Sequence, residues 1–184
     1  MKHVFIVLSA CLFTIMLAGC SDDQEAINEK EVITTISVML TPKTGGATPI
    51  VLGWDDANLD AVVDAAEITM SGGLKINTAY AADIQVANKS ASSEIDIDEE
   101  ILEEAEDHLF CFTVTGVALT IQVDDEDRNG LPVGLETTWT TTTASTGTVT
   151  IILRHQPNLK TGDCPGSGDT DVSITFNIQV ENLE

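Results

Sequence analysis

Polar and apolar residues take turns along much of this chain, and that rhythm predicts its elements. Between Asp171 and Val180, apolar Val172, Ile174, Phe176, Ile178 and Val180 alternate with Asp171, Ser173, Thr175, Asn177 and Gln179. Side chains of a strand point to opposite faces in turn, so period two marks a strand with one buried face. Val117, Leu119, Ile121 and Val123 repeat the pattern, as do Ile36, Val38 and Leu40 within 32–40, and Tyr80, Ala82, Ile84 and Val86 within 78–86. Further extended candidates are 48–54, 67–70, 109–115, 135–143 and 148–154. The run 137–143 is rich in Thr, which suits a β-branched strand and also passes for low complexity.

Turn residues separate these runs at Lys43-Thr44-Gly45-Gly46, Ser71-Gly72-Gly73, Asn129-Gly130 and Thr146-Gly147. Short strands at this spacing predict an all-β fold: an antiparallel, immunoglobulin-like β-sandwich of about eight to nine strands. One short acidic helix is expected from Asp98. There Ile101, Leu102 and Ala105 recur at helical spacing, Asp96 or Asp98 serves as N-cap, and Glu99, Glu100, Glu103, Glu104, Glu106 and Asp107 form the wet face.

The first residues follow another logic. Lys2 and His3 precede an apolar run from Val4 to Leu17. That run falls short of the roughly 20 residues a spanning helix needs and matches the core of an export signal. It ends Leu17-Ala18-Gly19-Cys20, which resembles a lipobox. Residues 1–19 are therefore expected to be removed and Cys20 to carry lipid. An ordinary secretory signal with a chance Cys is the competing reading. Residues 20–30 form an acidic tether, and 31–184 form the domain. One acyl chain binds a membrane marginally and two or more anchor it. The expected location is the outer membrane, lipid-anchored and facing the cell surface, since Ser21-Asp22-Asp23-Gln24-Glu25 resembles the acidic export tag of surface lipoproteins.

The formal charge of −22 argues against nucleic acid as a partner, because like charges repel. Acidity of this size also arises as a general adaptation to salt and then names no ligand. Of four Cys, Cys11 leaves with the signal and Cys20 takes lipid, so Cys111 and Cys164 remain. In an oxidising envelope two such residues most often pair. A bridge would stabilise the fold by roughly 4 kcal/mol in the loop-entropy model.

Several segments carry a joint resemblance: Asn28-Glu29-Lys30-Glu31-Val32-Ile33-Thr34-Thr35, Asp107-His108-Leu109-Phe110, Asp125-Glu126-Asp127-Arg128-Asn129-Gly130-Leu131-Pro132, and Leu153-Arg154-His155-Gln156-Pro157-Asn158. Together they resemble small Bacteroidota lipoproteins labelled "type 1 periplasmic-binding-fold superfamily protein", over nearly the whole mature chain. The resemblance implies a companion of a TonB-dependent outer-membrane receptor, with a role in nutrient or metal uptake. Cys111 and Cys164 are not part of that pattern. The β expectation comes from the residues alone, for nothing here alternates strand with helix as an α/β fold would.

Three groups are candidates for chemistry. Asp125-x-Asp127-x-Asn129-Gly130-x5-Glu136 satisfies the Ca²⁺-loop pattern letter by letter. Strands rather than helices flank it, so a plain polar hairpin turning at Asn129-Gly130 competes with an ion held by Asp125, Asp127 and Asn129. The cluster Asp55-Asp56-Ala57-Asn58-Leu59-Asp60 with Asp64 is read as a solvated loop. His108 and His155, the two His outside the signal, each stand at an element boundary. With Cys111 and Cys164 they are candidates for a transition-metal site, against the simpler readings of hydrogen-bonded His and a disulfide. Arg154 and Lys160 stand out among so few cations. Arg154 with His155 is a candidate for an anionic ligand group, and pairing with acids is the alternative for both. Trp54 and Trp139 are read as core anchors or, if exposed, as a binding surface.

No nucleophile elbow, metalloprotease His pair or phosphate-cradling Gly loop is present in the sequence, so no enzyme is expected. The expected function is a non-enzymatic ligand- or metal-binding accessory to a TonB-dependent receptor. The alternative is a structural or adhesive surface module stiffened by Ca²⁺.

Overall fold

The structure, a computed structural model, describes residues 32–46, 48–90 and 93–183. The signal, Cys11, Cys20 and the tether lie outside the described residues. Within them the chain is a two-sheet β-sandwich of eleven strands: β1 Thr35–Pro42, β2 Ile50–Asp55, β3 Ile68–Met70, β4 Leu74–Lys75, β5 Ala79–Asn88, β6 Ile95–Asp96, β7 His108–Thr115, β8 Leu119–Val123, β9 Glu136–Thr141, β10 Ser145–His155 and β11 Asp169–Glu181. One sheet runs β3-β2-β1-β5-β9-β8, with β6 also on β5; the other runs β4-β11-β10-β7.

Alternation decides which residues meet between the sheets. Val38 and Leu40 of β1, Tyr80 and Ala82 of β5, and Trp139 of β9 face Ile151 and Leu153 of β10 and Ile174 and Phe176 of β11 in one buried core. Each fully buried large side chain contributes about 1.5–3 kcal/mol by leaving water. The Thr-rich run is the strand β9, with Thr137 and Thr141 buried on either side of Trp139. Their hydroxyls are satisfied: Trp139 Nε1 donates to Thr137 Oγ1 at 2.9 Å, and Thr141 Oγ1 donates to the Lys75 carbonyl at 2.6 Å. Both Trp residues are core anchors, Trp54 at 2 % and Trp139 at 0 % exposure.

All nine expected strands occur. Two more, β4 and β6, have two residues each, too few to show any alternation. β4 also departs from the antiparallel expectation, because it pairs parallel with β11. The helix α1 is Asp98–Glu103, and its N-cap is Ile97 rather than an Asp. Asp96 Oδ1 accepts the Asp98 N–H at 3.0 Å, while the Asp98 carboxylate accepts the N–H of Val86 and ties α1 to β5. Burial pushes the Asp98 carboxyl up to about 6, opposed by the Val86 bond and reinforced by the charge of Asp96. Ile101 is buried and Leu102 is exposed, so the apolar stripe is narrower than its spacing suggests.

Candidate metal centre

Antiparallel pairing of β7 with β10 sets Phe112 against Ile151, Phe110 against Leu153 and His108 against His155. The two His thus continue, at one end, the row that faces the core. Their rings stack with centroids 4.7 Å apart and planes 17° from parallel. His108 is wholly buried and His155 is 9 % exposed. Glu104, the C-cap residue of α1, stands four residues before His108 and is exposed. One donor atom from each of Glu104, His108 and His155 lies within 4.8 Å of the others.

His108 Nδ1 is 3.1 Å from the backbone carbonyl of Glu104. A carbonyl only accepts, so Nδ1 carries a proton, and in the neutral ring the lone pair is then on Nε2. Metal-binding His residues are commonly oriented in this way, with the second nitrogen donating to a carbonyl or carboxylate. Two imidazoles and one carboxylate form a donor set for Zn²⁺ or Cu²⁺ that leaves coordination positions open. Nearly parallel rings send their in-plane lone pairs side by side, so binding one ion requires a ring to turn and the exposed Glu104 to close in. The sequence pattern places Glu104 only on the wet face of the helix, and its spacing of four from His108 across the helix end is the signal that it could do more.

Cys111 and Cys164 form a disulfide, S–S 2.05 Å and Cα–Cα 5.6 Å. Their sulfurs are bonded to each other, so the mixed His–Cys set is replaced by Glu104, His108 and His155. The bridge fastens the segment 156–168, which follows His155 directly. That segment is also sewn to the chain between Glu104 and His108. Gln156 N–H donates to the Asp107 carbonyl at 2.6 Å, Asn158 N–H to Asp107 Oδ1 at 3.2 Å, and Lys160 Nζ to the Ala105 carbonyl at 2.7 Å. At its far end Gly168 has φ +87°, and a Cβ there would collide with the His155 carbonyl. Only Gly tolerates both demands.

Arg154 bonds the Thr170 hydroxyl and the Gly168 carbonyl. Its guanidinium therefore closes the base of the same segment.

In the hairpin both Asp residues of the Ca²⁺ pattern already face donors. Asp125 accepts N–H bonds from Gly134 at 2.7 Å, Leu135 at 2.9 Å and Glu136 at 3.2 Å. Asp127 Oδ1 accepts from Asn129 at 2.8 Å and Leu131 at 2.9 Å, and its Oδ2 pairs with Lys160 Nζ at 2.9 Å. Burial alone would raise the Asp127 carboxyl, but the Leu131 N–H, the Lys160 bond, the Asn129 N–H and the Lys160 charge outweigh it. Its pKa is lowered from the usual carboxylate value. Glu136 and Asn129 are exposed. The geometry suits the polar hairpin: N–H groups and an ammonium engage the carboxylates of Asp125 and Asp127. The acidic loop after β2 is exposed at Asp55, Asn58, Asp60 and Asp64, as expected of a solvated loop, whereas Asp56 is buried and its carboxylate accepts the N–H groups of Asp60 and Ala61.

Among the described residues no helix is long and apolar enough to cross a membrane. Compared with known proteins, the chain matches no family model, no curated protein and no solved structure.

Proposed function

We propose that this chain is a lipoprotein held to the outer membrane through Cys20, whose sandwich binds a divalent transition-metal ion as a non-enzymatic accessory to a TonB-dependent receptor. The observation that carries the reading is the convergence of Glu104, His108 and His155 on one spot at the end of β7 and β10. Export and anchoring rest on Leu17-Ala18-Gly19-Cys20 behind a short apolar core. The receptor partnership rests on the lipoprotein resemblance. Three protein donors with open positions suit an ion that is taken up and passed on, rather than one locked in a closed structural cage. The Ca²⁺-stiffened adhesive module is less favoured, because Asp125 and Asp127 are engaged by N–H groups and Lys160.

Calorimetric titration with Zn²⁺ and Cu²⁺ tests the site. One equivalent should bind, and His155→Ala should weaken binding at least tenfold with little change in melting temperature. Equal affinity in both forms rejects the metal reading. Mass spectrometry of the native product tests the anchor: Cys20 should be the first residue and carry acyl mass.

A further inference from the structure

The two sheets part at the end where β1 begins, β2 ends and β11 begins, and a cavity of about 480 Å³ opens between them. Its walls come from both sheets: Val32 and Trp54 on one side, Val172 on the other, with Leu59 and Val63 from the loop after β2. Pockets for small molecules run from about 300 to 1,000 Å³, mostly apolar with a few polar groups, and this one fits that description.

Three features distinguish it from a gap in packing. Leu59 and Val32 hold 53 % and 56 % of their surface in water at its mouth, apolar area without a partner among the described residues. The loop that carries Leu59 is held in an unfavourable backbone shape: Leu59 and Ala61 have φ of 58° and 59°. Residues with a Cβ resist that region and stay there only when their surroundings enforce it. Asp56 supplies the enforcement through its bonds to Asp60 N–H at 3.2 Å and Ala61 N–H at 2.9 Å. Finally, Trp54 Nε1 in the wall is a buried donor with no hydrogen-bond partner among the described residues, a state that calls for an explanation in a folded protein.

Charge selects the occupant. Among the described residues no Lys, Arg or His lines the cavity, whereas Asp56 and Asp171 do. An anion would meet carboxylates in the described lining, inside a chain already at −22. We infer that this inter-sheet cavity binds a small, uncharged, mainly apolar ligand, separately from the Glu104–His108–His155 cluster.

Two dyes with one carbon skeleton test this on the full chain. N-phenyl-1-naphthylamine is neutral, and 8-anilinonaphthalene-1-sulfonate adds a sulfonate. The neutral dye should bind saturably at one site, at least tenfold tighter than the sulfonate. Leu59→Glu should weaken it at least fivefold at unchanged melting temperature. Val62→Glu, equally exposed at 53 % but outside the lining, should leave it unaltered, as should His155→Ala. Unsaturable binding, equal effects of the two Glu variants, or a sulfonate that binds as well as the neutral dye would overturn the inference. Loss of dye binding in His155→Ala would show that the two sites are not separate.

Discussion

Lys160 Nζ sits 2.9 Å from Asp127 Oδ2, with both side chains almost wholly withdrawn from water. The same ammonium reaches the Ala105 carbonyl at 2.7 Å, so a single cation joins the hairpin, the segment 156–168 and the stretch between Glu104 and His108. Removing one member of a buried pair leaves the other uncompensated, at about 3–5 kcal/mol. Lys160→Met should lower stability to urea by that amount, and adding Asp127→Asn should restore part of it. The pair also has a pH signature. Because the folded Asp127 carboxyl is lowered, its contribution is complete above the ordinary carboxylate pKa and is lost as pH falls through the folded value. The wild type should therefore lose its advantage over the double variant only in strong acid.

Asp98 behaves in the opposite sense. Its carboxyl is raised to about 6 when folded, so the stability tied to its protonated form is complete below 3.8 and lost as pH rises through about 6. Asp98→Asn keeps an acceptor for the Val86 N–H and removes the charge. Thermal melts should show the two proteins alike near pH 4 and the variant more stable at pH 7.

The Cys111–Cys164 bridge spans 53 residues. Reduction, or the double Ser variant, should cost about 2–4 kcal/mol in urea unfolding. Since the bridge fastens the segment that leaves His155, Zn²⁺ affinity should fall with it. An unchanged affinity would mean that the hydrogen bonds to Asp107 and Ala105 hold the centre unaided.

Millimolar Ca²⁺ should leave the melting temperature where it was. A ligand that binds only the folded state raises stability by mass action, and the carboxylates of Asp125 and Asp127 are already turned to donors. A clear upward shift on adding the ion would contradict this.

How much of the molecule the sequence displays depends on the range of the interaction. Period two is local, so the strands containing Val172–Val180 and Tyr80–Val86 were legible almost to their ends. β4 and β6 were not, because a two-residue strand is created by its partner, β11 or β5, rather than by its own pattern. The same holds for the site. His108 and His155 were visible as rare residues at element ends, but their meeting depends on register across 47 residues of chain. The Ca²⁺ motif shows the converse: its letters are local, while Lys160, which pairs with its Asp127, comes from a distant segment. The cavity beside Trp54 had no linear trace, because its walls belong to both sheets.

The outward side of the smaller sheet has one more consequence. Thr113 and Thr115 on β7, Thr148 and Thr150 on β10, and Ser173, Thr175 and Asn177 on β11 form adjoining rows, with Thr150 and Thr175 hydroxyls 2.8 Å apart. None of these residues is charged, in a protein whose acids outnumber its basic residues by 22. The negative field is therefore weaker over this patch than over the acidic loop after β2. In dilute salt, where screening is weak, another acidic body meets less opposition over these hydroxyls than over Asp55 and Asp60, and added electrolyte should alter that approach less.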